Sequence, residues 1–361
     1  ADREDWRGVF IRHMVDALSR RRDIQLSMWG PPGPLPNNVR YLPSRDEARM
    51  LEGIMAAGGI AHLMRSRSLD GLTAPLKLLR SLYSTFRREP ATELYHLNWL
   101  QTALPLPADG KPVLVTVLGT DLKLLTLPLV RLLLRHSLRH RPTAICPNAE
   151  WMIPTLTEAF GDTAIIHPVV FGIDPTWYAI ERRLTTSRPK WLAVTRLTRD
   201  KLGPLLDWAE PLFKGQTREL HLLGPMQEDV TVPEWIHYHG PASPGALVEK
   251  WFPQAHGLIT LSRHAEGRPQ VMLESMASGL PIIASDMPAH ASIVQAGETG
   301  ELCASEPGFA AAISRLEDAG VNERYGRAAR AWAQAEVGTW DDCAQRYADV
   351  YTRLIEQNYE H

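Results

Sequence analysis

The sequence predicts an α/β protein of two doubly wound, Rossmann-like domains, and two junctions in its C-terminal half carry that prediction. At the first, residues 257–261 (GLITL) form an apolar run that reads as a strand. A polar loop, SRHAEGRP (262–269), follows it. A helix is then expected from about 269 to 278, stopped by Gly279, with a second short strand over 281–284. Strand, loop, helix and strand make one βαβ unit, whose functional surface lies where strands end and helices begin. At the second junction, residues 190–195 (KWLAVT) read as a strand that enters the polar RLTRDK (196–201) and then a helix over 202–213. The third observation is length: 361 residues are enough for two domains with full cores.

The chemistry sits at those two junctions. Glu266 lies in the polar loop, and Glu274 lies in the following helix with seven residues between them. That helix is apolar at Val271, Met272 and Met276 and small at Ser275, Ala277 and Ser278, so it packs closely, and a carboxylate inside it needs a partner. Most glutamates are simply solvated; the packed surroundings single these two out. A helix N-terminus at this place offers unpaired N–H groups to a phosphate, whereas carboxylates there would accept from hydroxyls. The implied ligand therefore carries both phosphate and sugar. At the other junction, Arg196 and Lys201 stand with four residues between them. A planar guanidinium and a mobile ammonium together suit a diphosphate.

Taken together, these residues resemble the family 4 retaining glycosyltransferases, which have the GT-B fold: two Rossmann-like domains facing each other across a cleft. The E-x7-E pair of that family matches Glu266 and Glu274, and its R-x4-K pair matches Arg196 and Lys201. The linker motif resembles FGID (171–174) through Tyr178, with Phe171 where Asn is usual. LESMASGLPIIASD (273–286) resembles the family's LEAMA.G.PVIASD, and the closing aromatic pattern resembles Trp340, Ala344, Tyr347 and Tyr351. The resemblance implies that Glu274 binds donor ribose and that Glu266 sits by the donor sugar. It implies that Gly267, Arg268, Pro269 and Gln270 line sugar and phosphates, with Arg196 and Lys201 on the leaving diphosphate. Positive groups on that leaving group stabilise a transition state of growing negative charge, so no metal and no cofactor besides the nucleotide diphosphate sugar is expected.

The N-terminal half resembles the family less closely. ELYHLNWL (93–100) is similar to its strand end DVVHLHWL, with Asn98 at the second His, and VLVTVLGTD (113–121) is similar to TLHGSD, with Leu118 where His is usual. His96 is then the candidate to contact sugar on the catalytic side, while Asp121 and Asn98 are candidates on the acceptor side. Asn148 stands where the family often has Ser. The opening ADREDWRGVF (1–10) looks like the family's glycine turn and first helix without the strand before them, which would set Gly8 near the donor phosphates.

Cysteine and charge narrow the remaining classes. Cys146, Cys303 and Cys343 are far apart and show no metal or redox spacing, which fits a reducing compartment such as the cytoplasm. His237 and His239 stand two apart on a short expected strand with no cysteine close in sequence, and no metal site is expected. No apolar run reaches the roughly 20 residues of a membrane-spanning helix. Residues 1–170 carry 21 basic and 16 acidic side chains, whereas residues 171–361 carry 18 and 25, so the halves net +5 and −7. The basic clusters, including Arg65 and Arg67, Arg87 and Arg88, and those at 131–141, keep company with leucines. Such faces suit either solvent or an anionic membrane surface, here its inner face. Nucleic acid is not expected, since aromatics do not interleave with the basic stretches.

The expected layout is an acceptor-side domain over 1–172, a linker over 173–188, and a nucleotide-sugar domain over 189–336. A closing helix over 337–361 is expected to cross back to the first domain. The function this implies is retaining transfer of a sugar to a glycan or lipid-linked glycan. A nucleotide-sugar epimerase and a non-catalytic sugar-nucleotide binder are the alternatives.

Overall fold

The computed structural model describes residues 8–57, 69–184, 188–264 and 266–359, with only the backbone described for 69–72. The expected basic pair Arg65 and Arg67 and the chain start before Gly8 lie outside the described residues. The chain divides into two compact units, residues 1–170 with 343–361, and residues 171–342.

The N-terminal unit opens with a helix, Val9–Ser19. Two short strands follow, β1 (Ser27–Met28) and β2 (Arg40–Tyr41), paired in parallel. A separate four-stranded sheet holds β3 (Tyr95–Asn98), β4 (Val113–Val117), β5 (Thr143–Pro147) and β6 (Ile165–Ile166) in sequence order, all parallel. Every residue of β4 and β5 is buried, as a parallel sheet covered on both faces requires. Leu134 and Leu138 of the helix Pro128–Leu138 and Leu156 and Phe160 of the helix Ile153–Phe160 fill the core around them. Residues 343–361, most of the helix Trp340–Tyr359, group with this unit.

The C-terminal unit has one six-stranded parallel sheet. Its strands are β7 (Lys190–Val194), β8 (Glu219–Leu223), β9 (Ile236–Tyr238), β10 (Gly257–Thr260), β11 (Ile282–Ser285) and β12 (Gly300–Cys303). Their spatial order is β12-β11-β10-β7-β8-β9. The chain therefore lays β8 and β9 to one side of β7, then returns and lays β10, β11 and β12 to the other. The reversal falls between β7 and β10, and ligands of doubly wound sheets bind in the crevice at that point.

Two departures from the expected elements have local causes. The single helix expected over 202–213 is two, Arg199–Leu202 and Leu205–Phe213. Gly203 breaks it at φ +53°, and a Cβ there would meet the Leu261 carbonyl oxygen at 2.0 Å. The expected linker is also no free connector. Ile173 bridges Thr339, and a Cβ on Gly172 would meet the Thr339 carbonyl oxygen at 2.2 Å. The Arg182 guanidinium donates to the carbonyls of Gly279 and Ala255 and to Asn322 Oδ1 at 2.7–3.0 Å. Residues 171–184 thereby fold as part of the C-terminal unit.

Candidate functional site

The crevice of the C-terminal unit forms where β7 and β10 end. Beyond β7 the chain reaches Arg196 and then a short helix whose N-cap, Thr198, accepts from the Lys201 N–H at 3.2 Å. That cap sets the direction of the Lys201 side chain. Beyond β10 runs the loop bearing Glu266. The Arg263 N–H donates to the Asp200 carbonyl at 2.7 Å, and Gly203 lets the first loop approach the end of β10. The two loops are thus locked by backbone, and Lys201 and Glu266 meet as an ion pair, their side chains 12% and 18% exposed.

The charges here are strained by burial. Burial, and then the nearby Arg196 guanidinium, push the Lys201 ammonium down to about 7, against the attraction of Glu266. Arg196 also reaches Gln227 Oε1 at 3.5 Å. Buried His290, its Nδ1 3.0 Å from both Ser285 Oγ and the Ser285 carbonyl, is pushed down to about 4, chiefly by burial. Lys201 adds its charge to that effect, so a neutral ring lies beside the basic pair. His290 had no sequence signal beyond its place after IIASD. Its importance follows from the way Ser285 ties it to the end of β11, and Ser285 in turn donates to the Ser262 carbonyl at 2.6 Å.

The helix Gln270–Ala277 starts at Pro269 without a side-chain cap, leaving its first N–H groups for an anion. Gln270 Nε2 donates to the Gly172 carbonyl at 2.9 Å, while its Oε1 is buried without a hydrogen-bond partner. Arg268 donates to the Ser292 carbonyl at 3.3 Å and lies over the Trp332 ring. One turn into the helix stands Glu274. Its carboxylate has no hydrogen-bond or ion-pair partner among the described residues. Burial, and then the charge of Asp174, raise it to about 8. An acceptor this deep without a donor is placed to receive hydroxyls. The structure thus brings Arg196, Lys201, Glu266, Gly267, Arg268, Pro269, Gln270 and Glu274 onto one edge of one sheet.

The N-terminal unit holds the remaining candidates. His96 is held within the unit. Its Nδ1 is 2.5 Å from the Tyr351 hydroxyl, its Nε2 is 2.8 Å from Thr116 Oγ1, and its ring packs on Tyr347 and Tyr351. Burial pushes it down to about 3. With both nitrogens engaged, the neutral ring fastens the closing helix to β3 and β4. Asp121, 4% exposed, accepts from the N–H groups of Leu100 at 3.2 Å and Leu118 at 3.1 Å. It braces the loops after β3 and β4. Asn98 keeps a buried Oδ1 without a partner, as does Asn148 at the end of β5. Gly8, at φ +68°, caps the first helix, and Phe10 in that helix meets Trp99 edge-on beside Asn98. That places the helix start at the carboxyl edge of this sheet.

Elsewhere, β8 and β9 set His221 against His237 and His239, with His221 Nδ1 3.0 Å from His239 Nε2. No group of three or more His, Cys, Asp or Glu among the described residues could hold a metal ion.

A basic pair, an uncapped helix start and a carboxylate without a hydrogen-bond partner thus gather at the reversal point of one parallel sheet. Residues 188–318, which span all of these groups, match the family model described as "Glycosyl transferases group 1". A D-inositol 3-phosphate glycosyltransferase of Acidothermus cellulolyticus is 30% identical over 144 residues, 39% of this chain and 31% of that protein. The match thus spans under a third of that relative's length. Among solved structures, sucrose-phosphate synthase from Thermosynechococcus elongatus superposes with a TM-score of 0.73 at 15% identity, covering 98% of this chain and 94% of that one. Anabaena HepE in complex with UDP gives 0.68 at 13%, covering 98% of each. At those identities the likeness shows the fold, which is GT-B.

Proposed function

We propose that the protein transfers a sugar from a nucleotide diphosphate sugar, with retention at the anomeric carbon, to a hydroxyl of a glycan or lipid-linked glycan. The observation that carries this reading is the meeting of Lys201 and Glu266 where the strand order reverses, with unpaired Glu274 one turn into the adjoining helix. Glu274 accepts from the ribose hydroxyls. The start of the helix Gln270–Ala277 faces the phosphates with its free N–H groups. Arg196 and Lys201 neutralise the diphosphate as the bond to the sugar breaks, stabilising the transition state more than the ground state. Glu266 holds Lys201 in the empty site and turns to the donor sugar when the diphosphate takes the ammonium. Two groups carry the leaving charge, so a divalent ion is not needed. The relatives support the donor class, since HepE was solved with UDP and with UDP-glucose.

The assignment is tested by a thermal-shift panel of nucleotide diphosphates and their sugars, since a bound ligand raises stability by RT ln(1 + [L]/Kd). Incubation with donor alone separates the alternatives. A transferase hydrolyses the donor slowly, an epimerase changes its sugar, and a binder does neither. A panel without any shift would overturn the proposal.

A further inference from the structure

The helix Pro128–Leu138 has two apolar faces, and the core needs only one. Leu134 and Leu138 are fully buried against β4 and β5. On the other side Leu129, Leu132 and Leu133 are 67%, 63% and 48% exposed, and Leu127 just before the helix is 51% exposed. Positions 129, 132 and 133 share one helical face, so these leucines form a continuous ridge. Exposed apolar side chains grouped in this way mark an interaction surface more often than scattered ones do.

The charges around the ridge select its partner. Residues 122–141 contain no Asp or Glu and five Lys or Arg. Arg135 is paired with Asp162 and Arg141 with Asp109. Lys123, Arg131 and Arg139 are exposed and have no ion pair among the described residues. His136 and His140 are exposed on the same segment. Asp121, the nearest acid in sequence, is buried and accepts from backbone N–H groups. A second copy docking on this ridge through a two-fold axis would bring like charges together. An apolar ridge on a segment that bears exposed cations and no acid fits a surface that is apolar below and negative above.

We propose that this ridge is a membrane-docking face: Leu127, Leu129, Leu132 and Leu133 enter the headgroup layer of an anionic bilayer while Lys123, Arg131 and Arg139 meet its phosphates. The lipid-linked acceptor of the proposed reaction is the part of that reading on which this rests. The ridge narrows the basic, leucine-rich stretches of the sequence to one helix. Association then needs two contributions, apolar insertion and charge attraction, and weakens when either is removed. No helix among the described residues is long and apolar enough to cross a membrane.

The test is co-sedimentation of the full chain with vesicles of phosphatidylcholine alone or mixed with phosphatidylglycerol, at low and high salt. Two variants accompany wild type, L129S/L132S/L133S and K123S/R131S/R139S. All six positions are exposed, and a UDP thermal shift in each variant reports an intact donor site independently of vesicles. Wild type is expected to bind the anionic vesicles at low salt and to leave them as salt screens the charges. The serine ridge variant is expected to lose binding to both compositions. The charge variant is expected to lose its preference for the anionic vesicles, by about fivefold for each cation removed. Equal and negligible binding to both compositions overturns the docking face while leaving the donor reading to the UDP shift. Undiminished binding by the ridge variant, or a wild-type dimer that the ridge variant abolishes, overturns it as well.

Discussion

Replacing Glu274 by Gln separates the role of a ligand acceptor from that of a packing residue, because the two effects have opposite signs. In the ligand-free protein the carboxyl is raised from 4.5 to about 8, first by burial and then by Asp174. A raised carboxyl contributes stability that is fully present below its unfolded value and is lost as pH rises through its folded one. The window is therefore about pH 4.5 to 8. At about 1.4 kcal/mol per unit the upper bound is about 5 kcal/mol, and relaxation around a partly accessible group brings the expectation to about 2 kcal/mol. Glutamine keeps the shape without the charge, so the variant should hold its Tm from pH 6 to pH 9 while wild type declines. The same change removes the charged acceptor for the ribose hydroxyls. A hydrogen bond of that kind contributes about 1.5–3 kcal/mol, or about 10-fold to 150-fold in affinity. Differential scanning fluorimetry across pH and calorimetric titration with UDP and GDP give both numbers. A variant that is more stable at pH 9 yet binds every nucleotide diphosphate as tightly as wild type would refute the assignment of Glu274 to the ribose.

Proton counts supply an independent check. Burial holds Lys201 below its ordinary value and Glu274 above its own, so the diphosphate should draw protons onto Lys201 while Glu274 releases them on meeting the ribose. Calorimetry of the same titration in buffers of different ionisation enthalpy should therefore show net release in K201M and net uptake in E274Q; equal proton counts in both variants contradict the pairing. Arg196→Ala and Lys201→Ala should each lower kcat by about 100-fold or more with donor saturating, the size of effect typical of removing one transition-state charge partner, and should leave Tm nearly unchanged. EDTA should leave turnover intact, and loss restored by a divalent ion would point to another mechanism. Glu266→Gln frees Lys201, so affinity for the bare nucleotide diphosphate should hold or rise while turnover of the sugar nucleotide falls; parallel loss of both is the contrary result. His96→Ala should cost about 1–3 kcal/mol by leaving the buried Tyr351 hydroxyl without its partner, while Thr116 keeps its bond to the Tyr347 hydroxyl, with nucleotide affinity unchanged. Weaker nucleotide binding by a folded H96A protein would restore His96 to the site.

The candidate-site groups of the C-terminal unit were legible in the sequence because their spacing is local. Glu266 and Glu274 occupy one strand–loop–helix unit, and Arg196 and Lys201 occupy one strand-to-helix junction, so spacing alone aligns each pair. What brings the two pairs together is the reversal of strand order between β7 and β10, a long-range fact that no spacing encodes. The resemblance to a known family supplied it. The same limit explains His290, whose tie to Ser285 depends on the packing of a turn against β11. It also explains Gly203, which divides an expected helix because the end of β10 must approach its backbone.

On the N-terminal side the sequence singled out polar groups at strand ends without telling which of them face a ligand, and the reason is physical. A polar side chain at the carboxyl end of a buried parallel strand can face a ligand or satisfy the chain itself, and its identity does not say which. His96 and Asp121 find complete sets of partners from segments distant in sequence: Tyr351 in the closing helix, Thr116 on β4, and the backbone of Leu100. Asn98 and Asn148 do not, and each keeps a buried oxygen without a donor. Since buried polar atoms are nearly always paired, the unpaired ones are the better guide to where a hydroxyl-bearing ligand enters. By that criterion the amides of Asn98 and Asn148 are the groups to test for acceptor recognition. An Asn148→Ala variant should then lose acceptor affinity, read as a raised KM for acceptor, without a change in KM for donor. An unaltered acceptor KM would return Asn148 to the core of the sheet.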